Sequence, residues 1–435
     1  MKMKKFVLIF PLLLSAENFN DIAKSITNSL NYKLAQKDVE IYEKKLKAAR
    51  AKNYGTFDFS YTYVRLHDNP IMKMNMPAAI GAQNAGSAPV YPLIYKDMSA
   101  EFQAGEKNNF SGVLKYSYPL FTGFAITNLI KKSKIELMQK KLMLKNVKRV
   151  LLLNSANLYA NIYALNAKID ALNKAKKAVI QAKEKAEAFY NEGLLNKSEV
   201  DEIDAKYYEI EAQIQNTVSQ KKALLNSLST LLNKKIEKID GIDIPNLKKE
   251  SIENRPDILA IKENLNLSDT FIKMAKSKNY PEIGIEVALK KEANNISLSR
   301  NNYQNRDKSY AALAMQYNIF DGGEKEANIE EAKLFKMKSM IYYQNYLNSA
   351  LTDYKNDLLT LKALKEMYKS AKSEVRARLS YYEYIDAKFN EGLADSADLT
   401  DAIAKLAEAR AKKEAVKSQI FFYTIKTNLD GGNSF

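Results

Sequence analysis

The side chains best suited to chemistry are carboxylates at a repeated spacing. Asp398 and Asp401 follow Gly392 by six and nine residues, and Glu199 and Glu202 follow Gly193 by the same intervals. A spacing of three sets both acids of a pair on one side of a helix. If several copies of the chain meet about an axis, such pairs stack into rings that attract cations and narrow a passage. Taken alone they read better as first-turn acids favoured by the helix dipole. Met72, Met74 and Met76 suggest soft-metal binding. Their segment also holds Pro70, Pro77, Pro89 and Pro92, four of the nine prolines, so a flexible apolar loop is the simpler expectation. His67, the single histidine, stands beside Asp68 and reads as a surface residue. With no Cys and one His, the chain offers no disulfide, thiolate metal site, Cys nucleophile, multi-His centre or lipid-modified N-terminal Cys. No catalytic constellation is recognisable. The expectation is a non-enzyme with no cofactor and no resident metal.

The elements that must position the carboxylates are duplicated. Asn191-Glu192-Gly193-Leu194 recurs as Asn390-Glu391-Gly392-Leu393, and Phe121-Thr122-Gly123 as Phe320-Asp321-Gly322, both at an offset of 199. Lys52-Asn53-Tyr54 recurs as Lys278-Asn279-Tyr280 at an offset of 226, so the first half carries 27 extra residues between its strands. Each half reads as a helix (about 21–52 and 256–278), a strand hairpin (about 55–121 and 281–320), a very long helix (about 125–189 and 324–389) and a last helix (about 198–233 and 396–428). Neither long helix contains Pro or Gly, and each would run about 100 Å at 1.5 Å per residue. Leu399, Ile403 and Leu406 have the spacing of a coiled-coil seam. The predicted organisation is a first repeat over 17–233, an irregular connector over 234–251, a second repeat over 252–430 and a tail over 431–435.

Composition sets the class. The 435 residues include only 14 Gly and 9 Pro, too few for many tight turns. Met1–Lys5 is basic, Phe6–Leu14 is apolar but too short to span a bilayer, and Ser15-Ala16 suits a cleavage site. Residues 1–16 therefore read as a secretory signal peptide. The net charge of +16 falls by three to +13 without Lys2, Lys4 and Lys5. The remaining Lys are interleaved with Glu along helices, which describes a solvated surface and no nucleic-acid partner.

Four segments alternate with period two. Phe57, Phe59, Tyr61 and Tyr63 share one side of the first; Leu114, Tyr116 and Tyr118 of the second; Ile283, Ile285, Val287 and Leu289 of the third; Leu313, Met315, Tyr317 and Ile319 of the fourth. In an exported chain, segments of this length can cross a bilayer as tilted strands with aromatics near the interfaces. Four strands cannot close a barrel, and open edges are not tolerated in lipid. Strands must then be pooled between chains.

With these motifs, and with Arg255-Pro256-Asp257-Ile258 and Tyr280-Pro281-Glu282-Ile283 opening the second repeat, the chain resembles the TolC-type outer-membrane efflux protein family over essentially its whole mature length. The resemblance implies a mainly α fold with a β-barrel part: a homotrimer in which each chain gives four strands to a 12-stranded barrel and its helices to a periplasmic tunnel. It implies outer-membrane lipid around the barrel, a periplasmic adaptor and an inner-membrane transporter as partners, and passive exit of drugs or other small molecules from a Gram-negative cell. It sets Asp398 and Asp401 at the periplasmic constriction, with Glu199 and Glu202 near it, and Gly193, Leu194, Gly392 and Leu393 at the tunnel entrance where the adaptor docks. It makes Phe57, Phe59, Tyr61, Tyr63, Tyr116, Tyr118 and Tyr317 lipid-facing. The Tyr and Arg that lock some relatives closed are here Phe389 and Ala394, so closure is expected to rest on packing and Lys–Glu pairs. Type I protein secretion is an alternative that the sequence leaves open. A periplasmic coiled-coil adaptor or an exported scaffold are alternatives of a different class.

Overall fold

Uninterrupted runs of Ala, Leu, Lys and Glu dictate most of the chain. The computed structural model describes residues 16–82, 93–249, 251–298 and 307–433. The predicted leader up to Ser15, together with Pro89 and Pro92, lies outside them. Two compact units emerge, and each draws on both halves of the sequence. One comprises Met1–Lys44, Lys134–Asp269 and Leu334–Phe435; the other comprises Lys45–Ser133 and Thr270–Lys333.

In chain order the elements are α1 (Phe19–Ser25), α2 (Leu30–Ala51), β1 (Thr56–Arg65), β2 (Ile71–Ala82), β3 (Leu93–Gln103), β4 (Asn108–Thr122), α3 (Ala125–Asn191), α4 (Lys197–Leu232), α5 (Pro256–Ser277), β5 (Glu282–Ala293), β6 (Tyr310–Gln316), α6 (Glu324–Asn390) and α7 (Ser396–Asp430). The long helices α3 and α6 have 67 residues each. The first predicted helix is divided instead of continuous. A 3-10 turn at Ile26–Asn28 and an extended Ser29 separate α1 from α2. The cause is a polar run whose hydroxyls bond nearby carbonyls: Ser25 Oγ donates to Asp21 O (2.9 Å) and Thr27 Oγ1 to Lys24 O (3.3 Å).

The helical unit has one core where α1, α3, α4 and α7 meet the connector. Phe19, Ile22, Leu152, Tyr159, Leu228, Ile239 and Phe421 are among its buried residues. Phe19 lies edge-on to Tyr159 (5.5 Å) and to Phe421 (5.3 Å). The Tyr159 hydroxyl donates to Gly241 O at 2.9 Å. Ile236, Ile239 and Ile242 of the connector are buried, and a short parallel bridge ties it to the chain start, with Glu17 N donating to Lys238 O (3.2 Å) and Asp240 N to Glu17 O (3.0 Å). A second core joins the C-terminal ends of α3 and α6 to the first turns of α4 and α7. It contains Val179, Ala182, Ala186, Ile203, Phe389, Leu399, Ala402 and Ile403. The small Ala side chains let the helices approach closely, and Leu399, Ile403 and Leu406 are all buried, as the seam spacing predicts.

The other unit contains an antiparallel sheet in the order β1-β4-β5-β6. Its register lines up Phe57, Tyr116, Val287 and Ala311, and the neighbouring row Tyr118, Ile285 and Leu313. One face is therefore apolar from edge to edge. The opposite face carries Asp58 beside Lys115, and Ser117 beside Glu286, with Lys115 Nζ 3.3 Å from Glu286.

Two strand expectations need correction. The connection from Arg65 to Asn109 is not a flexible loop: β2 and β3 form a separate two-stranded antiparallel ribbon there. The alternation Met72-Lys73-Met74-Asn75-Met76 is a strand pattern, and Pro77 is tolerated because neither strand of a lone ribbon is central. The fourth strand also stops early. Glu282, the first residue of β5, pairs with Gln316, and among the described residues the ladder ends there, short of Tyr317 and Ile319. Tyr317 is thus not a strand aromatic. It lies just past β6, with Lys325 Nζ 5.7 Å from its ring centroid.

Candidate functional site

Two helical hairpin tips of the helical unit carry the predicted constriction residues. At each tip a left-handed glycine ends the long helix: Gly193 has φ 74° and Gly392 φ 69°. The backbone bonds repeat. Leu194 N donates to Phe189 O (2.8 Å) and Gly193 N to Tyr190 O (2.9 Å); Leu393 N donates to Lys388 O (2.8 Å) and Gly392 N to Phe389 O (3.1 Å). This is a Schellman closure, which needs a residue tolerant of positive φ at the glycine. The next side chain is turned outward in both cases, leaving Leu194 and Leu393 each 67% exposed.

Beyond the turns, Asp395 caps α7 by accepting from Asp398 N at 2.7 Å. Asp398 and Asp401 are exposed on the first turns of α7, and Glu202 is exposed on α4, while Glu199 is half-buried. Ser396 Oγ is 3.4 Å from Glu199 Oε2, so the start of α7 touches the matching start of α4. The structure therefore brings Glu199 to the α7 N-terminus. It also gives Asp401 a partner that the motif did not show: Lys405 Nζ at 2.7 Å, one turn on.

Phe389, at the first of the two altered lock positions, is buried and its ring centroid is 6.3 Å from that of Phe189. Polar links surround this packing. Lys185 bonds Asn390, and Lys183 bonds Asp204, which holds the ammonium pKa above its ordinary value. Lys176 pairs with Glu211, which raises the lysine and lowers the glutamate. Lys388 lies 4.7 Å from the Tyr384 ring centroid; its bond with Tyr384 raises its pKa, and Asp398 adds to the effect.

A buried ionic cluster joins α3, α5, α6 and α7. Asp257 accepts from Arg255 Nε (3.0 Å), Arg255 Nη2 (2.6 Å), Arg149 Nη2 (3.3 Å) and the Tyr346 hydroxyl (2.8 Å). Arg149 Nη1 also donates to Asp430 at 2.7 Å. Burial alone would raise Asp257, but the bonds from Arg255 and the charge of Arg149 outweigh it and hold the carboxyl at about 2. Burial pushes the neighbouring Asp357 carboxyl up, against the opposing pull of its partner Lys426. The Arg-Pro-Asp motif thus fixes the start of α5 to the end of α7.

The apolar sheet face is open to its surroundings. Phe57 and Phe59 are 69% and 72% exposed, and Leu313 and Met315 are 70% and 67%. Tyr116 and Tyr118 on β4 are half-buried. Aromatic rings meet across strands: Tyr63 stacks on Phe110 at 4.6 Å and Phe57 is 5.7 Å from Tyr116. The Tyr61 hydroxyl donates to Ile296 O at 2.6 Å and that of Tyr116 to Tyr54 O at 2.9 Å. Among the described residues, no helix is long and apolar enough to cross a membrane. Nor is any group of three or more His, Cys, Asp and Glu placed to hold a metal ion among them.

A family model for outer membrane efflux proteins matches residues 72–234 and 247–421. The chain belongs to the outer membrane efflux protein family. No curated protein matches the sequence significantly. Solved structures with this fold include CusC, studied for conformational changes accompanying folding and transmembrane channel formation. It is 14% identical, with 96% of this chain and 92% of that one covered at a TM-score of 0.77. The outer membrane protein VceC of Vibrio cholerae is 16% identical, with 96% of each chain covered and a TM-score of 0.72. The CmeC outer membrane channel of Campylobacter jejuni is 19% identical, with 95% and 85% covered and a TM-score of 0.74. These likenesses establish the TolC-type fold for this efflux-family chain. The side chains that the motif search missed, Asp395, Lys405 and Lys388, carry a signal only in hindsight: Asp395 precedes Asp398 by the three residues of a cap, and Lys405 follows Asp401 by four.

Proposed function

We propose that the chain is the outer-membrane exit duct of a tripartite efflux pump, passing drugs or other small molecules passively to the exterior. The observation that carries this reading is the four-stranded sheet, apolar and exposed on one face, polar on the other, and with β1 and β6 as its edges among the described residues. Open edges in hydrocarbon leave backbone groups unsatisfied at several kcal/mol each. Three copies remove them by closing twelve strands. Two copies would give eight strands, an interior that side chains fill, which is too narrow for a duct.

In this reading the polar face with Lys115 and Glu286 lines the lumen and Phe57, Phe59, Tyr61, Tyr63, Tyr116 and Tyr118 meet lipid. The helices α3, α4, α6 and α7 of the three copies form the periplasmic conduit. Asp398 and Asp401, with Glu199 and Glu202, ring its constriction. Gly193, Leu194, Gly392 and Leu393 present the tips to a periplasmic adaptor, which links the duct to an inner-membrane transporter that supplies the energy.

The test is the oligomeric state and conductance of the full-length protein extracted from outer membranes in detergent. A trimer that survives SDS without heating, and that opens discrete channels in planar bilayers, is the expected result. A detergent-free soluble monomer, or a trimer that never conducts, refutes the duct.

A further inference from the structure

The ribbon of β2 and β3 has two unlike faces. Its register pairs Met72 with Phe102, Met74 with Ala100 and Met76 with Met98. Side chains alternate along a strand, so these six share one face. Ile71, Lys73, Asn75 and Pro77 lie on the other with Gln103, Glu101, Ser99 and Asp97, and Lys73 Nζ bonds Glu101 there at 2.6 Å. Four of the chain's 13 methionines thus occupy one patch five residues long. All four are open to solvent, Met76 least at 40% and Met72 and Met98 most at 53%.

Hydrophobicity alone does not explain the choice of residue. The four-stranded sheet builds its exposed apolar face from Phe, Tyr, Leu, Ile and Val, with Met315, opposite Ile283, the one methionine in its four strands. Those types are the ones that strands favour. Methionine adds nothing to strand propensity and brings a polarizable sulfur on three rotatable bonds. In a chain without cysteine, thioethers are the soft donors available.

We propose that Met74, Met76 and Met98 form a thioether site for a soft monovalent cation of the Cu(I) or Ag(I) class, with Met72 as an adjoining donor. The backbone sets the spacing. Directly opposed residues such as Met76 and Met98 have Cβ atoms about 5 Å apart, and a diagonal neighbour such as Met74 lies about 7–8 Å from Met98. Flexible side chains of that length bring three sulfurs onto one ion without moving the ribbon. Three neutral sulfurs suit a large, weakly hydrated monovalent ion and leave hard divalent cations unserved. The ring of Phe102, directly opposite Met72, closes the patch and adds an aromatic face beside the cation. This site does not depend on the chain acting as a duct.

The probe is Ag(I), which needs no reductant, titrated against full-length protein in detergent and chloride-free buffer. Silver per chain is measured after equilibrium dialysis. The expected result is one tightly held silver ion per chain. Met74→Leu with Met76→Leu and Met98→Leu should weaken it at least tenfold while circular dichroism and heat stability stay unchanged, because Leu for Met conserves volume. Met337→Leu with Met340→Leu removes two exposed methionines of α6 and should leave uptake intact. Absence of silver binding in the wild type overturns the site. So does equal uptake by the ribbon variant, or uptake lost only with Met337 and Met340. A ribbon variant that loses oligomer stability but keeps silver also overturns it, and assigns the face to contact with another copy.

Discussion

Replacing Asp257 by Asn removes one charge from under four donors. The carboxylate is nearly sealed, with a side-chain exposure of 6%, and it faces the guanidinium groups of Arg149 and Arg255. In Asp257→Asn one amide oxygen still accepts, but the NH2 is turned toward cations and Arg255 loses its bidentate partner. Breaking a buried pair by removing one member costs about 3–5 kcal/mol, because the other charge stays buried and uncompensated. Proton linkage gives a second handle. A carboxyl held at about 2 against an ordinary 3.8 stabilises the fold by about 2 kcal/mol. The folded value lies below the unfolded one. The contribution is therefore complete above about pH 4 and is lost as pH falls toward 2. Equilibrium urea unfolding of the full-length protein in detergent, followed by helical circular dichroism from pH 7 to pH 2.5, measures both. Asp257→Asn should fall short of wild type by about 3–5 kcal/mol at pH 7, and the gap should narrow below pH 4. Equal midpoints at pH 7, or a gap that does not change with acid, would refute the argument that Asp257 is held charged by the two arginines.

Two further outcomes follow from the helix tips. Asp398→Ala combined with Asp401→Ala should raise single-channel conductance in planar bilayers and lessen block by divalent cations; unchanged conductance and block would remove the constriction assignment. Leu194→Asp combined with Leu393→Asp, which changes only exposed side chains, should weaken adaptor binding at least tenfold and abolish efflux in cells while the SDS-resistant trimer persists. Full efflux by that variant would show that the adaptor docks elsewhere.

Much of the architecture is legible in local pattern. The long helices begin and end within about two residues of their predicted bounds, because glycines that must take positive φ close them: Gly123 and Gly322 before, Gly193 and Gly392 after. The alternation of Phe57, Phe59, Tyr61 and Tyr63 with Asp58, Ser60 and Thr62 fixed β1 and its apolar side in the same way. The ribbon escaped that reading because Pro70 and Pro77 masked a period of two.

Sequence by itself determined the long helices, the four strands of the sheet with their apolar face, and that the plan occurs twice. These follow from periodicity, which a window of a dozen residues contains. Only the tertiary structure decided who meets whom. Arg149 reaches across 108 residues to Asp257 and 281 to Asp430, and Ser396 finds Glu199 197 residues away. Met98 comes to lie opposite Met76 because a register, and not a spacing, sets it there. Such pairings depend on how helices and strands dock, and no local period encodes that.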